Sequence, residues 1–207
     1  MKKLGLRSFD GYDAVVYEAV VVPILADFHP ESVNSLVDHS ESLVLLTDTD
    51  IWNKLDIEKM PKLKAVISSS DFSLLYASDE TIQKAGKEMD EIFAKKYPNG
   101  FSAADVAYPT DNDTDLAIIN YTSGTTSAPK GVMLRYECIS ENVAFGQKRL
   151  PCYPGDQIVS MLPMAHMYGM MFELIYPACG GVTIYYLGKT PTPALLLGAM
   201  AEVKPYL

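Results

Sequence analysis

The sequence predicts an α/β fold of layered strands and helices, and three observations carry that prediction. Short Val- and Ile-rich runs alternate with amphipathic stretches, Pro, Gly, Asp and Asn punctuate the joints between them, and the order strand, helix, strand recurs along the chain. Such alternation predicts a largely parallel sheet with its loops at the strand ends.

Val15 to Leu25 is rich in Val and Ile and holds one Pro, which reads as a buried strand before the polar break Asp27-Phe28-His29-Pro30. A helix follows. Pro30 suits its first turn, Glu31 suits the positive end of its dipole, and Val33, Leu36 and Val37 make its apolar stripe. Leu43 to Thr47 is a second strand, a short helical piece surrounds Trp52 and Leu55, and Leu63 to Ser68 is a third strand. Glu80 to Tyr97 reads as one helix, with Ile82, Ala85, Met89, Ile92 and Phe93 on one face and Lys84, Lys87, Glu88 and Lys95 on the solvated other.

Pro98-Asn99-Gly100 ends that helix, and residues 98–115, rich in Asp, Asn and Pro, form an internal linker. Beyond it the pattern predicts strands at Leu116 to Thr122 and Gly131 to Arg135 around a Gly/Ser/Thr loop, then a helix over Glu137 to Lys148. Strands at Gln157 to Leu162 and Val182 to Leu187 flank a helix from about Ala165 to Pro177, and a last helix spans Pro193 to Val203.

The chain has 207 residues, of which 48% are hydrophobic and 21% charged, enough apolar material for a sizeable core and too much for wholesale disorder. Its 26 acidic residues against 17 Lys and Arg leave a net charge of -9, which argues against a nucleic-acid partner and makes any anion site a local one. Three scattered cysteines without a C-x-x-C pair fit a reducing compartment, so the expected location is cytoplasmic. No run approaches the ~20 apolar residues of a transmembrane helix. His29 and His39 stand apart from each other and from any cysteine cluster, and both read as surface residues.

The most informative stretch is Tyr121-Thr122-Ser123-Gly124-Thr125-Thr126-Ser127-Ala128-Pro129-Lys130-Gly131-Val132. It lies between two strand-like runs and offers hydroxyls at Thr122, Ser123, Thr125, Thr126 and Ser127, backbone N–H groups and the Lys130 ammonium. That set suits one polyanion. It is not a Walker A loop, since Pro129 precedes the Lys and Gly131 follows it. A polar hairpin loop without a ligand would use the same residue types.

The order of this stretch closely resembles the signature loop of the adenylate-forming superfamily of acyl- and aryl-CoA synthetases, peptide-synthetase adenylation domains and luciferases. Its pattern is [YF]-T-S-G-[ST]-T-G-x-P-K-G-[VA], and the one departure is Ser127, where Gly is usual. Ser127 either restricts the loop or adds a hydroxyl donor. A second resemblance follows at Leu162-Pro163-Met164-Ala165-His166-Met167-Tyr168-Gly169, similar to the L-P-[LM]-x-H-x-x-G segment beside the acyl pocket of these enzymes. Read alone, His166 on this Met-rich segment is first a core histidine, and Met161, Met164, Met167 and Met170 are first core packing and only second a soft, adaptable pocket.

The Leu162-Pro163-Met164-Ala165-His166 segment and the opening Val22-Pro23-Ile24-Leu25-Ala26-Asp27-Phe28-His29-Pro30 lean toward long-chain fatty acid CoA ligases. The resemblance covers residues 20–207, and residues 1–19 match poorly. It implies ATP, Mg²⁺ and CoA as cosubstrates and cofactor, a fatty acid as substrate, and formation of an acyl-adenylate that is passed to the CoA thiol. By motif position it assigns Thr122, Ser123, Gly124, Thr125, Thr126, Ser127 and Lys130 to the phosphates, with Lys130 and Thr126 as the catalytic pair. It places His166, Met167 and Gly169 at the acyl pocket.

The superfamily's adenine-binding segment, its ribose-binding Asp and its C-terminal catalytic Lys have no counterpart among the 207 residues. The expectation is therefore a piece of the large N-terminal adenylation domain, incomplete as a catalyst by itself. The alternative is a non-catalytic remnant or interaction fragment that binds nucleotide weakly or not at all. A peripheral membrane association would suit a lipid substrate, but no basic amphipathic helix supports it. Uncovered strand edges would favour self-association.

Overall fold

The structure is a computed structural model that describes residues 19–105, 112–122 and 129–206. The chain divides into two compact units, residues 26–110 and a second that joins 1–25 to 111–207.

The unit of residues 26–110 begins with helix α1, Pro30–His39, which has Pro at its start, Glu31 in its first turn and Val33, Leu36 and Val37 buried, as its stripe predicts. Strand β1, Val44–Thr47, runs parallel to β2, Ala65–Ser68, across the short helix α2, Thr49–Trp52. Strand β3, Leu74–Ala77, then pairs antiparallel with β2. The sequence reading had no strand there. Residues 69–73 are too few for a parallel crossover, so the chain can only turn back on itself.

The single helix expected over Glu80 to Tyr97 is two helices, α3, Glu80–Lys87, and α4, Met89–Lys96, that meet at Glu88 with φ -97° and ψ 8°. Gly86, a poor helix former, sits two residues before the break. Asp79 caps α3 by accepting the Ile82 N–H at 3.0 Å. Neither helix buries a residue fully, and Met89, Ile92 and Phe93 are about half-exposed. Phe93, Tyr97 and Phe101 gather instead into an aromatic cluster with centroids 4.9 to 6.1 Å apart.

In the other unit, the strand expected over Val15 to Leu25 is reduced, within its described part, to a single parallel bridge between Val21 and Ile118. Val21 donates to the Ala117 carbonyl and accepts from the Ile119 N–H, both at 2.9 Å. Pro23 has no N–H with which to continue the ladder. Residues 15–18 lie outside the described residues.

Strands β4, Leu116–Thr122, and β5, Lys130–Arg135, form an antiparallel hairpin, and helix α5, Tyr136–Arg149, follows directly. Strand β6, Gln157–Ser160, pairs in parallel with β7, Thr183–Tyr186, and helix α8, Pro193–Val203, packs Ala199 and Val203 against Val159 of β6. The expected largely parallel sheet is thus three small sheets among the described residues, one parallel pair, one antiparallel pair and one mixed triplet.

The helix expected over Ala165 to Pro177 starts later and is not uniform. It comprises α6, Met167–Met170, a π-helical turn, Met171–Ile175, and α7, Tyr176–Cys179. Pro177 cannot donate to the carbonyl four residues earlier and its ring crowds that carbonyl, so widening of the preceding turn relieves the conflict. Ala117 and Ile118 of β4 and Met170, Met171 and Ile175 of this helix make the unit's main core cluster.

Candidate functional site

The predicted phosphate loop joins β4 to β5 along the chain. Thr122 and Lys130 are register partners at the mouth of the hairpin, and both are exposed. Ser123, Gly124, Thr125, Thr126 and Ser127 lie outside the described residues. Side chains alternate along a strand, so Thr122 shares a face of β4 with Asn120 and Ile118, and Lys130 shares the matching face of β5 with Val132 and Leu134. On the opposite face Gly131 stands across from Tyr121. A Cβ at Gly131 would fall 2.9 Å from Ile119 Cγ2 and 3.3 Å from the Tyr121 ring, so the absence of a side chain makes room for that ring. Burial pushes the Tyr121 phenol above its ordinary pKa.

Asn120 is the link to the second predicted segment. It is 8% exposed, and its Nδ2 donates to the Ala165 carbonyl at 3.1 Å. The turn that carries His166 therefore lies on the face of β4 that also presents Thr122. His166 itself is exposed, and its Nδ1 accepts the Tyr168 N–H at 3.3 Å, which makes it the N-cap of α6. Three residues on, Gly169 is buried. A Cβ there would sit 2.6 Å from the Pro163 carbonyl oxygen, so only Gly lets the helix start approach the turn this closely. The His-x-x-Gly spacing thus has a packing reason in this chain.

A cleft of about 320 Å³ opens beside this turn, lined by Leu134 of β5, Cys138, Ile139 and Asn142 of α5, and Met167, Tyr168, Met171 and Phe172 of the 167–179 helix. It is mostly apolar, with Asn142, the Cys138 thiol and the Tyr168 hydroxyl as its polar side-chain groups. Met167 lines it, whereas His166 and Gly169 do not. Met170, from the same three-residue repeat, is buried in the core.

Two polar residues that the sequence reading passed over hold the region together. Glu173, in the π-helical turn, is 9% exposed, and one oxygen, Oε2, accepts from Ser160 Oγ at 2.9 Å and from the Met161 and Leu162 N–H groups at 2.8 Å each. Asn120 is the other. A signal existed for Glu173, because it is the lone carboxylate between Met164 and Ala178. His29 and His39 are exposed, as read, and no group of three or more His, Cys, Asp or Glu side chains is placed to hold a metal among the described residues.

Comparison with known proteins places this architecture. A family model described as AMP-binding enzyme matches residues 14–207. Long-chain-fatty-acid–CoA ligase 5 of Rattus norvegicus is 29% identical over 200 residues, a match that takes in 91% of this chain and 28% of the ligase. The chain thus spans under a third of that relative's length. Among solved structures, the inhibitor-bound N-terminal domain of FACL13 from Mycobacterium tuberculosis superposes with a TM-score of 0.69 at 21% identity, over 93% of this chain and 43% of that one. ATP-bound MatB from Rhodopseudomonas palustris superposes with a TM-score of 0.68 at 19% identity, over 92% of this chain and 34% of that one. At such identities the two superpositions speak for a shared fold. A family match that takes in the β4–β5 hairpin, the His166 turn and the cleft beside them identifies the chain as a member of the AMP-binding enzyme family.

Proposed function

We propose that this chain contributes the phosphate-binding hairpin and part of the acyl pocket of an ATP-dependent fatty acid CoA ligase. The observation that carries the reading is the shared face of the β4–β5 hairpin. Thr122 and Lys130 stand at its mouth, and Leu134 leads along the same face into an apolar cleft next to the His166 turn. The name of the rat relative and the ATP in the bacterial neighbour support the substrate assignment.

In this reading residues 20–207 are part of an N-terminal adenylation domain. A fatty acid carboxylate attacks the α-phosphorus of ATP, the bond to the α,β-bridging oxygen breaks, and acyl-adenylate and pyrophosphate form together. The thiol of CoA then gives up its proton and attacks the acyl carbon, the thioester forms, and the acyl–oxygen bond to AMP breaks, releasing AMP and the proton. Both steps gather negative charge, and fixed donors aimed at it lower the barrier more than water does.

Lys130 and the hydroxyls of Thr122, Ser123, Thr125, Thr126 and Ser127 take the β- and γ-phosphates, with the Gly124 backbone close against them. Lys130 and Thr126 bear most directly on pyrophosphate departure. Mg²⁺ fits a site of hydroxyl and phosphate oxygens, and when bound it neutralises leaving-group charge. Met167 and the rest of the cleft take the apolar chain, while His166 and Gly169 shape the turn that leads to Met167.

Calorimetry with ATP·Mg²⁺ on the 207-residue chain, run beside fatty-acid-dependent pyrophosphate exchange, tests this. Binding with exchange supports the full reading. Binding without exchange limits the chain to a nucleotide-binding piece, and neither result would leave family membership without the proposed function.

Half-exposed Val132 and largely exposed Met133 on β5 also favour self-association. A single monomer peak in light scattering would count against that.

A further inference from the structure

We propose that Asn120 and Glu173 are positioning residues that clamp the 161–166 turn from two sides and so set where His166 stands; the inference rests on the function proposed above.

The turn leaves β6 at Ser160 and reaches helix α6 at Met167. At its start, the Glu173 carboxylate collects the Met161 and Leu162 N–H groups and the Ser160 hydroxyl on a single oxygen. Near its end, the Asn120 amide holds the Ala165 carbonyl. Between these points the Pro163 carbonyl rests against Gly169. His166, the next residue, caps the helix with its own Nδ1. The two N–H groups at the start of the turn and the Ala165 carbonyl near its end are thus held by side chains from elsewhere in the unit.

The choice of residues is informative because apolar replacements would suit the packing. Glu173 lies in an apolar helix that contributes Met171 and Ile175 to the core, and burying a carboxylate is costly before its partners compensate. Well-packed apolar side chains in place of buried ionic groups are often neutral or stabilising. The gain from Glu173 is therefore geometric, since three convergent donors fix the exit of β6 in one direction.

Asn120 supplies the complementary restraint from the hairpin itself. It lies two residues before Thr122 on the same face, so any nucleotide held at Thr122 and Lys130 shares a rigid strand with the anchor of Ala165. The arrangement gives the phosphate end and the acyl end of the site a common frame. Misplacement of reacting groups by about 1 Å can cost on the order of 100-fold in rate, which is the scale of benefit such a frame protects.

The test uses the whole 207-residue chain and three variants, Glu173→Gln, Glu173→Leu and Asn120→Asp. The Gln variant keeps a carbonyl acceptor of the same reach, the Leu variant removes the acceptor, and the Asp variant removes the donor to Ala165 without changing size. Circular dichroism establishes that each is folded. Nitrogen NMR of the His166 ring, assigned from the spectrum of His166→Gln and read above pH 8, reports whether Nδ1 remains the accepting nitrogen. Pyrophosphate exchange then gives separate KM values for the fatty acid and for ATP.

Wild type and Glu173→Gln are expected to share the His166 signature. Glu173→Leu and Asn120→Asp are expected to lose it and to raise the fatty acid KM on the order of 10- to 100-fold, with the ATP KM of Glu173→Leu within about 2-fold of wild type. A folded Glu173→Leu or Asn120→Asp that keeps the wild-type ring signature overturns the clamp. Should Glu173→Leu not fold, Asn120→Asp decides the matter alone. Absence of exchange in wild type removes the proposed function, a separate failure, and the ring signature still decides whether the clamp exists.

Discussion

The β4–β5 hairpin and the 161–166 turn meet on one face of β4, yet different bonds hold them. The hairpin is a main-chain ladder between partners such as Thr122 and Lys130, a few positions apart along the chain. The turn depends on side chains 11 to 45 positions away, from Glu173 and Asn120. A ladder tolerates most changes at its exposed side chains, because its bonds come from the backbone. A clamp made of single side chains does not. Substitutions at the hairpin mouth should therefore change chemistry and spare stability, and substitutions around the turn should change both.

The largest expected effect lies at the hairpin. Lys130→Ala should reduce pyrophosphate exchange about 10- to 1,000-fold, from the loss of roughly 1.5–4 kcal/mol of charge-assisted contact, with thermal stability nearly unchanged. Unaltered exchange in this variant would take Lys130 out of the site.

Next comes Gly169→Ala, which should destabilise the chain by about 1–3 kcal/mol because the new methyl meets a main-chain oxygen with little freedom to move. Gly198→Ala in α8 is its control. Nothing lies within 4 Å of a Cβ at Gly198, and the change should stabilise by up to about 1 kcal/mol through helix propensity. Equal thermal midpoints for the two variants would show that the turn gives way more readily than its contacts imply.

Tyr176 offers a smaller and pH-dependent effect. Its buried hydroxyl donates to the Leu150 carbonyl, and Tyr176→Phe should cost about 1 kcal/mol at neutral pH. Burial first, and then the hydrogen bond with the Cys152 thiol, push this phenol up to about 12 from the ordinary 10.0. The unfolded chain releases the proton at lower pH than the folded one, so the stabilisation is complete below pH 10 and is lost as pH rises through 12. Chemical denaturation across that window should show wild type losing stability more steeply than Tyr176→Phe, and parallel slopes would contradict the assignment.

Ser127→Gly is the smallest. If Ser127 restricts the loop, Gly should tighten ATP binding by less than about 1 kcal/mol, and calorimetry giving the same affinity would mark Ser127 as a tolerated variant.

The elements that could be read in advance are those with a local cause. The stripe of Val33, Leu36 and Val37, the Pro at the starts of α1 and α8, and the apolar runs of β4 and β6 all express short-range periodicity or chain stiffness. Strand β3 escaped because Leu74–Ala77 is four residues with no clear alternation, and its place depends on β2. The helix break at Glu88 escaped because apolar spacing continues across it, and the aromatic cluster that Phe93 joins lies outside the helical pattern. The expected parallel sheet failed at the two hairpins, where connection length outweighs strand composition.

By itself the sequence determined the α/β class, the position of the Ser/Thr/Gly loop between two strands, the His-x-x-Gly segment and the family, because each is a matter of residue order in short stretches or of how those stretches recur along the chain. Only the tertiary structure decided that Thr122, Lys130 and the His166 turn share one face, that Met167 lines the cleft while Met170 fills the core, and that Glu173 and Asn120 fasten the turn. Those facts arise from polar bonds and packing between residues far apart in the chain, and such contacts leave no periodic trace in the order of amino acids.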